Sequence, residues 1–167
     1  RLQLTLNART FSMAEEMGLD IITPCAATAG NLQEDLATLK QDPNLLGEIN
    51  EVLEKTCGRR FSGGTHVHHL LHVIVDEVGI ERLESEVRNP IDFDVAGFYG
   101  PNIQQTGACG GDDVHDPEYL ELVIDALGGR PVQWEGRTQS VGVPGLFSEE
   151  STVLRQAATV LHEAKSE

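Results

Sequence analysis

Three cysteines, Cys25, Cys57 and Cys109, and the histidine group His66, His68, His69 and His72 are the residues of this chain whose types could do chemistry. Cys25 follows the run Ile21-Ile22-Thr23 and precedes small residues that open a helical pattern. Free N–H groups and the dipole at a helix start lower a thiol pKa, which suits a nucleophile or a metal ligand. A small residue buried in a tight turn gives the same pattern, since free Cys is among the most buried residue types. Cys109, in Gly107-Ala108-Cys109-Gly110-Gly111, is either a reactive thiol or ligand, or an incidental exposed Cys. Cys57 reads as structural or incidental. On a helix, His68 and His72 stand one turn apart with His69 offset by about 100°, so two of them could share a metal such as zinc. The competing reading is a helix start packed against a neighbour, because no carboxylate or Cys motif flanks the group. Ser140 lies in Thr138-Gln139-Ser140-Val141-Gly142 and lacks the Gly-x-Ser-x-Gly turn of a hydrolase nucleophile. Gly142-Val143-Pro144-Gly145 lacks the Lys and spacing of a phosphate loop. Tyr99 and Trp134 read as core or interface residues. The loops carry no complete catalytic set.

These residues must be positioned by an alternation of strands and helices. Leu2, Leu4, Leu6, Phe11, Met13, Ala14 and Met17 give a helical pattern stopped by Gly18. Residues 20–23 form a β-branched strand. Helical spacing follows over 29–40 and 44–55, divided at Asp42-Pro43, where Pro ends one helix and opens the next. Residues 57–64 read as a loop and 65–67 as a brief extended piece. Leu70, Leu71, Ile74, Val75 and Val78 mark a helix ending at Gly79, and a short helix spans 80–87. Val95, Ala96 and Phe98 form a buried strand that runs into the Gly100-Pro101 turn. Residues 102–115 show no periodicity. Asp116-Pro117-Glu118 supplies an N-cap, a first-turn Pro and an acid, so a helix runs to about Leu127. A strand over 131–134, a loop over 136–147 and a helix from the Ser148 cap to about Lys165 complete the chain.

That order predicts an α/β fold, with mainly parallel sheets flanked by helices. Ligands in such folds sit beyond the carboxyl ends of the strands. The loops at 24–28, 97–101 and 138–145 are therefore where a site should form. A rough echo relates the helix, strand and small-residue loop at the start to the strand, loop and helix after Asp92. It suggests two pseudo-repeated halves at about 1–90 and 91–167.

The chain has 167 residues, 40% hydrophobic and 23% charged, with a formal net charge of -15. That length suits a single compact globular chain. Nucleic acid and anionic membrane surfaces would repel such a charge. Three widely spaced cysteines without a Cys-x-x-Cys pair fit a reducing, cytoplasmic setting. No apolar run has the length of a membrane span, and no signal peptide opens the chain. Because the chain begins and stops against helical patterns, it is expected to continue beyond both ends.

The order of four segments resembles the B subunit of heterodisulfide reductase, a family with cysteine-rich CCG domains. They are Gly18-Leu19-Asp20-Ile21-Ile22-Thr23-Pro24-Cys25-Ala26-Ala27-Thr28, preceded by Leu6-Asn7-Ala8-Arg9; Gly64-Thr65-His66-Val67-His68-His69-Leu70-Leu71; Asp94-Val95-Ala96-Gly97-Phe98-Tyr99-Gly100; and Asp125-Ala126-Leu127-Gly128-Gly129-Arg130-Pro131-Val132. The resemblance implies two CCG-type halves, each supplying cysteines to an iron–sulfur cluster, whose ligands are thiolates. It places Cys25 at the first position of a Cys-x-x-Cys, with Thr28 at the second. Pro101 stands at the Tyr-Gly-Cys position, and Ser140-Val141 at the second half's Cys-Cys pair. Most family cluster positions are thus degenerate.

Pro and Val offer no donor atom, so the second cluster cannot be bound in the family's way. The expectation is a subunit of a cytoplasmic heterodisulfide-reductase-like redox complex, with iron–sulfur and flavin subunits as partners. It would act as a scaffold or docking subunit with the cluster lost or incomplete. The alternative is an active thiol/disulfide or iron–sulfur oxidoreductase subunit, including succinate/fumarate-type complexes. Cys25 and Cys109 would then be the acting thiols, with further ligands outside this chain.

Overall fold

The computed structural model describes residues 1–103, 111–142 and 145–166. The chain is α/β, with short parallel strand pairs flanked by helices, as the alternating pattern predicts. It divides into two compact units, Arg1–Leu70 and Leu71–Glu167.

The first unit is built from three long helices and one strand pair. Helix α1 (Leu2–Met17) ends at Gly18, whose φ of 64° is the left-handed geometry that favours glycine. Strand β1 (Ile21–Thr23) follows, then α2 (Ala26–Gln41) and α3 (Pro43–Cys57). Asp42 divides the two helices and caps the second. Its carboxylate accepts the Asn44 and Leu45 N–H groups at 3.0 Å each, while Pro43 fills the position that needs no donor. Strand β2 (Val67–His69) runs parallel to β1 with Ile21 opposite Val67, Ile22 opposite His68 and Thr23 opposite His69. Parallel neighbours need a crossover of at least a dozen residues, and α2 with α3 supplies it.

The core of this unit joins Ala8 and Phe11 of α1, Leu36 and Leu39 of α2, Ile49 and Leu53 of α3, Phe61 and Val67. The Phe11 and Phe61 rings meet at 5.5 Å between centroids. Asn50, buried beside them, donates to the Phe61 carbonyl at 2.9 Å and accepts the Phe61 N–H at 2.8 Å. Both polar groups of a buried backbone are thereby satisfied, which fixes the loop after α3.

The second unit contains a turn of helix, α4 (Leu70–His72), shared with the unit boundary, that continues as a π-helix (Val73–Val78). Then come α5 (Ile80–Glu86), β3 (Asp94–Ala96), α6 (Gly100–Ile103) and α7 (Tyr119–Ala126). Strand β4 (Arg130–Val132) lies parallel to β3, with Val95 opposite Pro131. A 3₁₀ turn (Glu135–Thr138) and α8 (Glu150–Ser166) follow.

Three local expectations are corrected. The second extended piece is Val67–His69 rather than 65–67, so His68 and His69 stand on a strand. Pairing decides this: the β-branched Val67 packs into the core opposite Ile21, where a helical start would leave β1 unpaired. The helix after Leu70 is α-helical for one turn only before it widens into the π form. Finally, α7 starts at Tyr119, and Asp116 is not its cap. Asp112 takes that role from the preceding loop, accepting the Glu118 N–H at 2.8 Å and the Tyr119 N–H at 3.3 Å. Asp116 is drawn to Arg137 instead.

Candidate functional site

In the first unit the β1 strand delivers Cys25 to the N-cap of α2. The Cys25 N–H donates to the Thr23 hydroxyl at 3.2 Å, which turns the chain out of the strand. The thiol is exposed. A hydrogen bond from the Thr28 hydroxyl, then the Thr28 and Ala27 N–H groups, hold its pKa below the usual thiol range against a small burial effect. The open alternative, a residue buried in a tight turn, is therefore not what the structure contains. Thr28 serves the thiol as a donor through both its hydroxyl and its N–H.

The histidines separate. His66 and His68 gather on Asp20 at the start of β1. Asp20 accepts the His66 N–H at 2.8 Å and faces the His66 Nδ1 at 3.2 Å and the His68 Nε2 at 3.8 Å. The His66 backbone N–H chiefly holds the Asp20 carboxyl below its ordinary pKa, against burial and aided by the His66 ring and both imidazole charges. His69 is buried, and its Nε2–H donates to the Pro24 carbonyl at 3.2 Å, bracing the residue before Cys25. Burial pushes the His69 imidazole down, partly offset by that bond. His72 belongs to the second unit, buried edge-on against the Tyr119 ring at 5.7 Å. The helical spacing on which a shared His68–His72 metal site depended is absent, since His68 is on β2. Among the described residues no group of three or more His, Cys, Asp or Glu is placed to hold a metal ion.

In the second unit the loops after β3 and β4 are brought side by side. Tyr99 donates its N–H to the Arg137 carbonyl at 2.8 Å, and Trp134 Nε1–H donates to the Gly97 carbonyl at 2.8 Å. Phe98 stacks on Trp134 with centroids 6.2 Å apart. Pro101 is exposed in α6, just after Gly100 at φ 65°. Ser140 is exposed; its Oγ accepts the Gly142 N–H at 3.1 Å and its carbonyl accepts Gln156 Nε2–H at 2.5 Å. Val141 is half-buried. Cys109 lies outside the described residues. These donors do not fit an iron–sulfur cluster: Pro101 and Val141 have no ligand atom, Ser140 offers only a hard hydroxyl already engaged, and Cys25 is a single thiolate.

Sequence reasoning missed the polar cluster that unites these loops. Glu121, on the inner face of α7, is 6% exposed, and Arg137 is 9% exposed. Arg137 donates to Glu121 at 3.0 Å and to Gln133 at 2.7 Å, and it also pairs with Asp116. The Tyr99 hydroxyl donates to the other Glu121 oxygen and accepts the Leu120 N–H at 2.8 Å. Burial, then the Glu121 carboxylate, push the Tyr99 phenol well above its ordinary pKa. One signal pointed to this cluster: Glu121 stands one turn before Ile124, on the stripe that helical spacing buries.

No protein-family model matches the chain. It is similar to the B subunit of the ferredoxin/F(420)H(2)-dependent CoB-CoM heterodisulfide reductase of Methanosarcina acetivorans, at 29% identity over 143 residues, 85% of this chain and 47% of that protein. It is also similar to a protein of Archaeoglobus profundus described as like the B subunit of heterodisulfide reductase, at 27% over 145 residues, 84% of this chain and 48% of the other. The 8-methylmenaquinol:fumarate reductase membrane anchor subunit of Wolinella succinogenes is 30% identical over 167 residues, covering 98% of this chain and 57% of its own length. The resemblance to the heterodisulfide reductase B subunit read from four segments thus extends over most of the chain. The chain spans about half the length of the curated relatives it matches. Among the described residues, no helix is long and apolar enough to cross a membrane.

Proposed function

We propose that this chain is a subunit of a heterodisulfide-reductase-like redox complex in the cytoplasm, serving as a scaffold on which iron–sulfur and flavin subunits dock. The observation that carries this reading is a similarity running through most of the chain to redox-enzyme subunits, alongside the lack of a thiol at Pro101, Ser140 and Val141. A fold retained without its ligands is what a docking role requires, because docking depends on surface and not on thiolates. The reading includes two related halves at about 1–90 and 91–167. Among the described residues, each of the compact units Arg1–Leu70 and Leu71–Glu167 has one parallel pair whose first strand ends in a small-residue loop, which supports two halves, although the units part near residue 70 and not 90.

The test is isolation of the tagged full-length protein from its source under anoxic conditions. Co-purification of iron–sulfur or flavin subunits is the expected result. A lone protein without a redox partner overturns the reading.

One observation favours a second reading, in which the chain takes part in disulfide chemistry: the Cys25 thiol is exposed and held toward the thiolate. A Cys25 thiolate attacking a substrate disulfide would form a mixed disulfide and release one thiolate, with the electron-donating partner subunits resolving it. Cys109 would be the second thiol. Cys25→Ser should then abolish turnover of the isolated complex, and full activity in that variant rejects the role. Iron, sulfide and zinc content with a visible spectrum separates the two readings: a colourless, metal-free protein favours the scaffold, and iron with sulfide favours an active subunit.

A further inference from the structure

We infer that the loops standing at the family's second cluster position are organised in this chain by the buried Tyr99–Glu121–Arg137 triad, without a metal. The inference rests on the reading of Pro101 and Ser140-Val141 as degenerate cluster positions. A cluster at such a place ties two loops to one body through its ligands. Here the same two loops, after β3 and after β4, are tied to each other and to α7 through one carboxylate.

The geometry of the tie is complete. Glu121 spends one oxygen on Arg137 and the other on Tyr99, so neither is left unpaired in a buried setting. Arg137 returns to the β3 loop twice, through its carbonyl, which accepts the Tyr99 N–H, and through the shared carboxylate. Gln133 and Asp116 occupy further guanidinium donors. The loop after β4 leaves no room for a side chain at Gly136, where a Cβ would sit 2.4 Å from the Trp134 ring, and a Cβ on Gly97 would just touch Glu121, 3.5 Å from its carboxylate. The planar fork of Arg, with its several fixed donors, suits three acceptors in three directions, whereas Lys offers a single point charge. A buried carboxylate deprived of its cation is a far worse arrangement than either the intact pair or an apolar replacement of both partners.

The experiment measures hydrogen exchange by mass spectrometry on the full-length protein, following peptides that cover 97–101 and 135–141. Both should keep their protection after exhaustive chelation. Arg137→Met should raise exchange at both by at least tenfold while leaving a β1 peptide unchanged, with Arg137→Lys intermediate. The double variant Glu121→Leu/Arg137→Met should melt at a higher temperature than Arg137→Met alone. Deprotection of these loops by chelation, or unchanged exchange in Arg137→Met, overturns the inference. Should Arg137→Met fail to fold, Tyr99→Phe removes one hydroxyl and little volume; faster exchange at the same peptides supports the triad, and unchanged exchange refutes it. Failure to find redox partners affects the redox-complex reading and leaves these exchange rates untouched, so the two can fail separately.

Discussion

Cys25 owes its character to its neighbours more than to burial. The Thr28 hydroxyl and the Thr28 and Ala27 N–H groups all favour the thiolate, so the group titrates below the ordinary thiol value. Alkylation of Cys25 by iodoacetamide, followed against pH, should show a lower midpoint than an unperturbed free thiol treated alongside. Thr28→Val should move that midpoint upward by deleting the leading donor. Identical midpoints in the two proteins would contradict this assignment. Arg137 poses the opposite case, a cation whose value lies in what it neutralises. Its removal strands Glu121 in a buried site, and breaking such a pair costs about 3–5 kcal/mol. Chemical denaturation of Arg137→Met reads that loss directly. Tyr119 is a milder version: burial, then its bond to Asp76 and that group's charge, push its phenol up to about 12. Its absorbance should therefore titrate later than a free tyrosine, and Asp76→Asn should bring it earlier.

The end of α1 at Gly18 and the α2–α3 junction at Asp42 have named causes, and the junction shows how much one residue can do. Asp42 ends α2, caps α3 with two N–H acceptances, and precedes the Pro that no helix interior would tolerate. Asp42→Ala should lower stability by about 1 kcal/mol, the usual cost of an N-cap. Asp42→Asn should recover most of it, and thermal unfolding distinguishes the three. The α7 start is less legible because its cap lies seven residues before Tyr119 in a loop without pattern. Asp116-Pro117-Glu118 has every local mark of a helix start, yet Arg137 competes for the same carboxylate and prevails. The π-helix at Val73–Val78 left no mark in the sequence. The spacing of Leu70, Leu71, Ile74, Val75 and Val78 matches an α-helix, and the wider turn places Asp76 to accept the Tyr119 hydroxyl and, at 3.3 Å, the Gly111 N–H.

Charge is distributed unevenly over the whole molecule. Residues 1–70 carry nine Asp and Glu against six Lys and Arg, and residues 71–167 carry eighteen against six. On the docking role proposed above, a partner for the second unit should present a basic face and associate more slowly as salt screens the attraction. The acids of the first unit make its stability fall in acid. Burial raises the Glu15 carboxyl, but the Ser62 N–H and hydroxyl, the Gly64 N–H and the Lys40 charge outweigh it, so the net shift is downward. Asp20 is likewise depressed. A carboxyl with a lowered folded pKa stabilises the fold above its unfolded value, near 4, and loses that contribution as pH falls through the folded value. Stability of this unit should decline below about pH 4, and Glu15→Gln should flatten the decline. Sequence alone determined the α/β class, the long helices, the Gly18 and Asp42 boundaries, the loop that carries Cys25 and the resemblance to the heterodisulfide reductase B subunit. All of these rest on local periodicity, on capping residues or on motifs read in order. Only the tertiary structure decided that His68 lies on a strand, that His72 packs on Tyr119, and that Tyr99, Glu121 and Arg137 meet. The physical reason is that burial and ion pairing join residues far apart in the chain, and no local pattern states which carboxylate a buried arginine will choose.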